Sequence, residues 1–453
     1  MNRLRPKDVF GTLKKHMLVD GYEMVFDLEK SRGIHIYDAL EGKTYLDFFT
    51  CFATSPIGYN HPKMTTPEFK EKLARVAVNK PSNSDVYSLE MAEFVDTFSK
   101  IAIPPFLPHL FLIEGGALAI ENGLKVAFDW KVRRNFEKGY KEERGTKVIH
   151  FVQAFHGRTG YTLSLTNTAD PRKFMYFPKF DWPRVLNPKL TFPLNEENVK
   201  KVQEAEKETV RQIQKAVEEH PDDIAALIIE PIQGEGGDNH FRNEFFVQLR
   251  RLADEHDFLL MYDEVQTGIG LTGKMWAFEH FDVQPDIIAF GKKTQVCGIL
   301  AGTRVDEVEN NVFVEPSRIN STWGGNIVDM VRCQKYLEII EEEKLVDHAR
   351  TMGDALLKEL QGFEKEFADL VSNARGRGLM CAFNLPSSEI RDEFRKIAFR
   401  EGLAILGCGE RTIRFRPPLN IAQDELDQGL DIIRKSLKGI AAKGVPHVTR
   451  LEL

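Results

Sequence analysis

The sequence predicts an α/β protein in which a large domain with a mainly parallel central sheet is joined to a smaller α+β domain. Three observations predict it. Short, almost wholly apolar runs recur through the middle of the chain, as strands covered on both faces of a parallel sheet do. Amphipathic segments with apolar residues at helical spacing lie between them. Beyond about Asn326 that alternation gives way to long helical stretches with brief strands between them.

Taken in order, the apolar runs are HLFLI (109–113), KVIHFV (147–152), IAALIIE (224–230), FLLMYDE (258–264) and DIIAFG (286–291). Each has strand length and ends in polar residues or glycine. After the first comes ALAIENGLKVAFDWKV, where Ala117, Ile120, Leu124 and Ala127 keep helical spacing. The later region opens with one long helical stretch, VDMVRCQKYLEIIEEEKLVDHARTMGDALLKEL. It continues through RGRGLMCAF, a helix, two short strands around AILGCG and TIRFRP, and a closing helix, QDELDQGLDIIRKSL. A chain of 453 residues exceeds one typical domain. Residues 65–325 are assigned to the large domain, and 1–64 together with 326–453 to the small one. No internal repeat or low-complexity linker is visible.

Composition excludes several classes. A net charge of −7 without a long basic run argues against a nucleic-acid surface. The five cysteines, Cys51, Cys297, Cys333, Cys381 and Cys408, form no CxxC pair, so neither a disulfide framework nor a metal site is expected. No apolar stretch has the length of a signal peptide core or a membrane span. A cytoplasmic location is expected.

The segment YDEVQTGIGLTGKM, Tyr262 to Met275, contains a match to the dinucleotide-binding glycine fingerprint and nearly matches a P-loop. Both nucleotide readings fail on context. Val265 to Gly268 separate the strand's acidic end from the glycines, no long helix follows, and Met275 stands where a P-loop needs Ser or Thr. The glycines are expected to shape a mobile turn. Asp263 and Glu264 lie where a parallel strand ends, the edge at which open α/β sheets bind ligands. The next strand runs into Lys292 and Lys293. A carboxylate and a lysine at the ends of consecutive strands suggest a pyridoxal phosphate site, with the lysine as Schiff-base partner and the acid paired with the pyridinium nitrogen. Singly, a lysine is more often a solvated charge and an Asp-Glu pair a turn or cap.

The motifs IEGGALAIENGLKVAFDW, FHGRTGYTLSLT, IIEPIQGEGG, YDEVQTGIGLTGK, IIAFGKK, NSTWGGN, RGRGLM and IRFRPPL, in this order, resemble the class III, fold-type I pyridoxal-phosphate aminotransferases. The resemblance runs from about Leu18 to Leu437. It implies a homodimer with shared active sites, and it implies roles. Lys292 would carry the cofactor, with Lys293 as its rival, and Asp263 would pair with the ring nitrogen. Gln266 would lie near the phenolic oxygen, and Phe155 would stack on the ring face. Gly116 and Ala117 would open a helix toward the phosphate, where free N–H groups and the dipole favour an anion. Thr322 would reach that phosphate from the neighbouring subunit.

Within the family, KPSNSDVYS, PKFDWPR, FGKKTQVCG and SRINSTWGGN resemble the members that transfer the ε-amino group of L-lysine to 2-oxoglutarate, forming L-glutamate. Ornithine or 4-aminobutyrate transfer is the alternative, and a racemase or aminomutase on the same fold is the alternative class. The resemblance makes Arg158 the anchor for a remote carboxylate, since a guanidinium binds one through two parallel hydrogen bonds. Arg414 would take the keto acid's carboxylate, with Arg416 on the same strand face as its competitor. Glu235, between glycines expected to let its loop move, would mask Arg414 while lysine reacts, because an unpaired buried guanidinium is costly.

Overall fold

The first strands of the chain, β1 (His35–Asp38) and β2 (Lys43–Asp47), pair antiparallel, and the five apolar runs then fold as strands of one large sheet. These are β3 (His109–Ile113), β4 (Lys147–Phe151), β6 (Ile224–Ile229), β7 (Leu259–Asp263) and β8 (Ile287–Phe290). Two unforeseen strands complete it, β5 (Arg184–Val185) and β9 (Cys297–Ala301), in the spatial order β3-β9-β8-β7-β6-β4-β5. This computed structural model describes residues 4–443; residues 1–3 and 444–453, the extremes of the assigned small domain, lie outside them.

Strands β5, β4, β6, β7 and β8 run parallel, whereas β9 is antiparallel to both neighbours, β8 and β3. The connection from Gly291 to Val296 is too short for the crossover a parallel strand needs, so the chain turns straight back. Every residue of β6, β7, β8 and β9 is buried. The helix Gly116–Glu137 covers one face, burying Ala119, Ile120, Leu124 and Ala127. A fully buried Leu or Ile contributes about 1.5–3 kcal/mol. Ala117 is only half-buried, at the helix's open N-terminal end.

The remaining strands are β10 (Ser372–Arg377), β11 (Met380–Asn384), β12 (Leu403–Ala404), β13 (Leu406–Cys408) and β14 (Thr412–Phe415). Four form an antiparallel sheet, β10-β11-β14-β13, and β12 joins β2 in parallel, building the N-terminal hairpin into the C-terminal region. The long helical stretch is two helices, Ile327–Glu342 and Leu345–Glu366, broken at Lys344 with φ 53°. Three successive glutamates, Glu341 to Glu343, oppose the negative dipole end there and favour a stop.

Two features aim the fold at one edge. The parallel strands β4, β6, β7 and β8 all end on the same side of the sheet, and β14 brings Arg414 and Arg416 toward it from the other sheet. The glycine turn after β7, expected to be mobile, is instead buried from Thr267 to Gly273. Glu264 fastens it by accepting hydrogen bonds from the Thr267 hydroxyl and from the backbone N–H groups of Ala277 (3.1 Å) and Phe278 (2.8 Å). No described helix is long and apolar enough to cross a membrane.

Candidate active site

The two lysines after β8 have opposite environments. Lys293 is buried and its Nζ donates to the Gln266 backbone oxygen at 2.6 Å. Lys292 has φ 52°, a left-handed conformation that costs a side-chain-bearing residue about 1–2 kcal/mol. Gln295 holds that bend, donating its N–H to the Lys292 oxygen at 2.9 Å and its side-chain amide to the Thr54 oxygen at 2.7 Å. Among the described residues, the Lys292 amine has no hydrogen-bond partner, and its residue stays partly exposed. Desolvation and then Arg414 push its pKa down from 10.5 to about 8, against the opposing pull of Asp263 and Glu230.

Asp263 ends β7 and is buried. One carboxylate oxygen accepts the Val265 N–H at 3.0 Å, and the other lies 2.8 Å from His156 Nδ1, which donates to it as a carboxylate. His156 is buried with its Nε2 unpartnered. Sequence reasoning quoted this histidine within FHGRTG but assigned it nothing. Glu230, also missed, follows β6 and accepts hydrogen bonds from the Phe155 N–H (3.0 Å) and the Gly234 N–H (2.9 Å). Burial raises its pKa to about 7. An acid closing an all-apolar strand must satisfy its oxygens locally, and that is the signal that could have found it. Through Glu230 the backbone of Phe155 is tied to the loop that carries Glu235.

The helix Gly116–Glu137 starts from Gly115, φ 103°, with no side-chain cap and no acid in its first turn. Its first N–H groups therefore stay open to an anion. Gly116 lies so close to Val265 that an added Cβ would stand 2.9 Å from its methyl carbon, and one on Gly157 would stand 2.5 Å from Ala117. The missing side chains bring this helix end, the Asp263 strand and the Phe155 turn together. Thr322 is exposed, and its turn is clasped by Ser82 and Ser84, whose hydroxyls donate to the Thr322 and Ser321 oxygens at 2.5 Å. Within one chain its side chain joins none of the other candidate residues by a hydrogen bond.

Arg414 is 3 % exposed, and only its Nη2 is paired, to Glu235 at 2.9 Å; Nε and Nη1 are buried without partners. Glu235 has a second partner that sequence reasoning did not name, Lys173, whose Nζ lies 2.5 Å from its other oxygen. Burial alone would raise the Glu235 pKa, but Arg414 and Lys173 overcome it and hold the carboxylate below its ordinary value. Arg416, the competitor of Arg414, is committed elsewhere. It pairs with buried Asp238 at 2.6 Å and donates to Gln266 Oε1 at 3.0 Å, which leaves the Gln266 amide nitrogen free to donate. Arg158 is exposed and unpaired among the described residues, and its guanidinium carbon lies 5.7 Å from the Phe155 ring centre.

The loop around Glu235 does not have the freedom its glycines suggested. A Cβ on Gly234 would meet Gln266 at 2.5 Å, and one on Gly236 would meet the Gln153 oxygen at 2.3 Å. The glycines serve close packing. The backbone is pinned by the Gly409 N–H to the Glu235 oxygen at 2.8 Å and by Arg375, which donates to the oxygens of Gly237 (2.5 Å) and Asp238 (2.8 Å).

These residues fit pyridoxal phosphate: an unpartnered amine of lowered pKa, a buried carboxylate one strand away, and an uncapped helix end beside them. The buried, half-satisfied Arg414 guanidinium adds an anion site. The comparisons with known proteins agree. Residues 17–437 match the family model described as aminotransferase class-III. The chain is 51% identical over 433 residues to the L-lysine-epsilon aminotransferase of Mycobacterium tuberculosis, covering 95% of this chain and 96% of that protein. It is 48% identical to that of Amycolatopsis lactamdurans, with the same coverage. The solved lysine aminotransferase from M. tuberculosis superposes with a TM-score of 0.94 at 51% identity, covering 96% of this chain and 100% of the other. A family match over nearly the whole chain, on a sheet whose ends gather a lysine, a carboxylate and an uncapped helix end, leaves one conclusion: the chain belongs to the class III aminotransferases, which depend on pyridoxal phosphate.

Proposed function

We propose that this enzyme moves the ε-amino group of L-lysine to 2-oxoglutarate, giving 2-aminoadipate 6-semialdehyde and L-glutamate in two ping-pong halves. The observation that carries it is the contrast between its two substrate-side arginines: Arg414 is masked by Glu235, while Arg158 stands open. An amino donor whose carboxylate is remote from its reacting amine needs that arrangement. The keto acid, with carboxylates at both ends, needs both arginines. The high identity to L-lysine-epsilon aminotransferases supports L-lysine as the donor and its ε-amine as the reacting group.

Bound pyridoxal phosphate supplies an electron-withdrawing ring that stabilises charge developing at the substrate carbon. Lys292 would hold the cofactor, and its amine, when neutral and free, would be placed to take a proton from the substrate carbon. A pKa near 8 keeps part of it neutral at physiological pH. Asp263, oriented by His156, would pair with the ring nitrogen and favour its protonated form. Gln266, its oxygen held by Arg416, would offer its amide to the cofactor, and Phe155 would pack against the ring. The N–H groups of Gly116 and Ala117 would receive the phosphate. Arg158 binds lysine's α-carboxylate and so presents the ε-carbon to Lys292. Glu235 neutralises Arg414 during this half and yields when 2-oxoglutarate arrives.

Thr322 from a second copy completes the phosphate site, which makes the homodimer the working unit. The division into residues 65–325 and 1–64 with 326–453, and a cytoplasmic location, belong to the same proposal. Product identification after incubating the holoenzyme with L-lysine and 2-oxoglutarate tests it. The ε-semialdehyde, trapped as its cyclised form, is expected with stoichiometric glutamate. An α-keto acid from lysine, or turnover of ornithine or 4-aminobutyrate in preference to lysine, would overturn the assignment.

A further inference from the structure

Masking Arg414 solves the lysine half-reaction but creates a difficulty in the next one. When a keto acid takes the guanidinium, the displaced Glu235 carboxylate stays in a mostly buried position beside an incoming anion. A buried charge that loses its partner is heavily penalised. The pinned backbone prevents the loop from carrying Glu235 out to water, because Gly409 and Arg375 hold it and the neighbouring glycines are packed against Gln266 and Gln153. Only the side chain can turn. What it can turn to is already in contact: Lys173 Nζ, 2.5 Å from Glu235 Oε1 and 18 % exposed.

We propose that Lys173 is a positioning residue that retains the Glu235 carboxylate when 2-oxoglutarate or glutamate occupies Arg414, so that the mask opens by a side-chain rotation between two cations. The inference rests on the reading of Glu235 as a mask for Arg414 and deepens it. Lys173 sits on the short turn Pro171–Lys173, outside the parallel sheet, and its ammonium lies 5.8 Å from the Phe155 ring centre. The turn places it beside the site, reaching Glu235 from the side of the Phe155 ring. In the lysine-bound state Glu235 keeps Arg414 whether or not Lys173 is present. In the keto-acid state Lys173 is its remaining partner. Removing Lys173 therefore penalises one state and spares the other, which is the condition for shifting an equilibrium between them.

The test uses the holoenzyme with Lys173→Met, Lys173→Arg, Glu235→Ala and the double variant Lys173→Met/Glu235→Ala. Calorimetry measures binding of glutarate, an unreactive dicarboxylate, and single-turnover kinetics follow each half-reaction. Lys173→Met is expected to weaken glutarate binding about tenfold, equivalent to about 1.4 kcal/mol. It should raise the 2-oxoglutarate concentration needed for half-maximal rate by a similar factor while leaving the lysine half within about twofold. Lys173→Arg should restore both, and in the Glu235→Ala background Lys173→Met should have no further effect. Unchanged glutarate binding in Lys173→Met, with Glu235→Ala still acting on the two halves unequally, would sink the role of Lys173 and leave the mask standing. If Glu235→Ala acts on neither half, or equally on both, the mask itself fails and this proposal with it. A Lys173 effect that persists without Glu235 would reduce the lysine to general attraction of anions, and equal loss in both halves without rescue by arginine would reduce it to packing.

Discussion

The proposed cofactor side and the proposed substrate side of the site are built in opposite ways. At the sheet edge every acid has fixed partners: Asp263 between His156 and the Val265 N–H, Glu230 between two backbone N–H groups, Glu264 on the turn beyond. Each belongs to a strand end or to the bend after one. On the substrate side the charges are incompletely matched. Arg414 leaves two buried nitrogens unpaired, Arg158 has no described partner, and Glu235 is shared between two cations. A cofactor that stays bound through both halves is served by a rigid frame. Two substrates of different charge pattern require groups that exchange partners, and partial satisfaction is what makes exchange inexpensive.

The comparison can be broken most completely at Lys292. Lys292→Ala should reduce turnover by roughly 10⁴-fold or more, since the general base and cofactor anchor proposed for this residue are lost together. Borohydride treatment and peptide mapping should then find no attached cofactor. Lys293→Ala should keep the attachment and instead lower the melting temperature, because its buried amine is bonded to the Gln266 backbone. Cofactor mapped to Lys293 would reverse the assignment. Asp263→Asn should bind cofactor yet lose roughly 10³-fold in turnover, the scale on which a preorganised electrostatic contact acts. Near-normal turnover would reject the ion pair with the ring nitrogen.

The pH dependence of Lys292 sharpens the contrast from the rigid side. Only the neutral amine attacks a carbonyl, so capture of pyridoxal phosphate by the stripped protein should speed up as pH rises and level off above about 8. Lowering the pKa from 10.5 to about 8 raises the neutral fraction at pH 7 roughly 300-fold. Capture rates at graded pH, followed by absorbance, give the midpoint. A midpoint near 10 would mean that burial and Arg414 leave the amine unperturbed.

Much of the rigid side was legible in the sequence, because it is written in short motifs at strand ends: the acid closing FLLMYDE, the lysine after DIIAFG, the glycines before a helical pattern. What escaped depends on distant parts of the chain. His156 meets Asp263 across 107 residues and Lys173 meets Glu235 across 62, and neither pairing leaves a local pattern. Strand β9 escaped because its five residues include Gly298 and only one β-branched residue, Ile299, a weak strand signature, although the short connection before it fixes its antiparallel direction once it is recognised. The glycines of QGEGG misled for a physical reason: an absent Cβ serves close approach as readily as mobility, and only the neighbours show which.

Glu235→Ala probes the exchangeable side and carries the smallest, most selective effect. Without the carboxylate, Arg414 is free to capture an α-carboxylate at every encounter. Glutamate and 2-oxoglutarate should then bind and react at least as well as before. Lysine acquires a wrong pose, with its α-carboxylate on Arg414 and its α-amine at the cofactor. A change of about 1.4 kcal/mol between poses alters their ratio tenfold, within reach of one charge-assisted bidentate contact. The ε-amine half-reaction should therefore slow about tenfold while the keto-acid half does not, and product analysis should reveal some α-transamination. The fixed backbone adds a stricter expectation. Because the loop is pinned by Gly409 and Arg375, deleting the side chain should leave cofactor capture nearly unchanged, while the melting temperature falls because buried Arg414 loses its partner. If cofactor capture falls together with lysine turnover, the two sides of the site are not separable, and the carboxylate is holding the frame rather than masking an arginine.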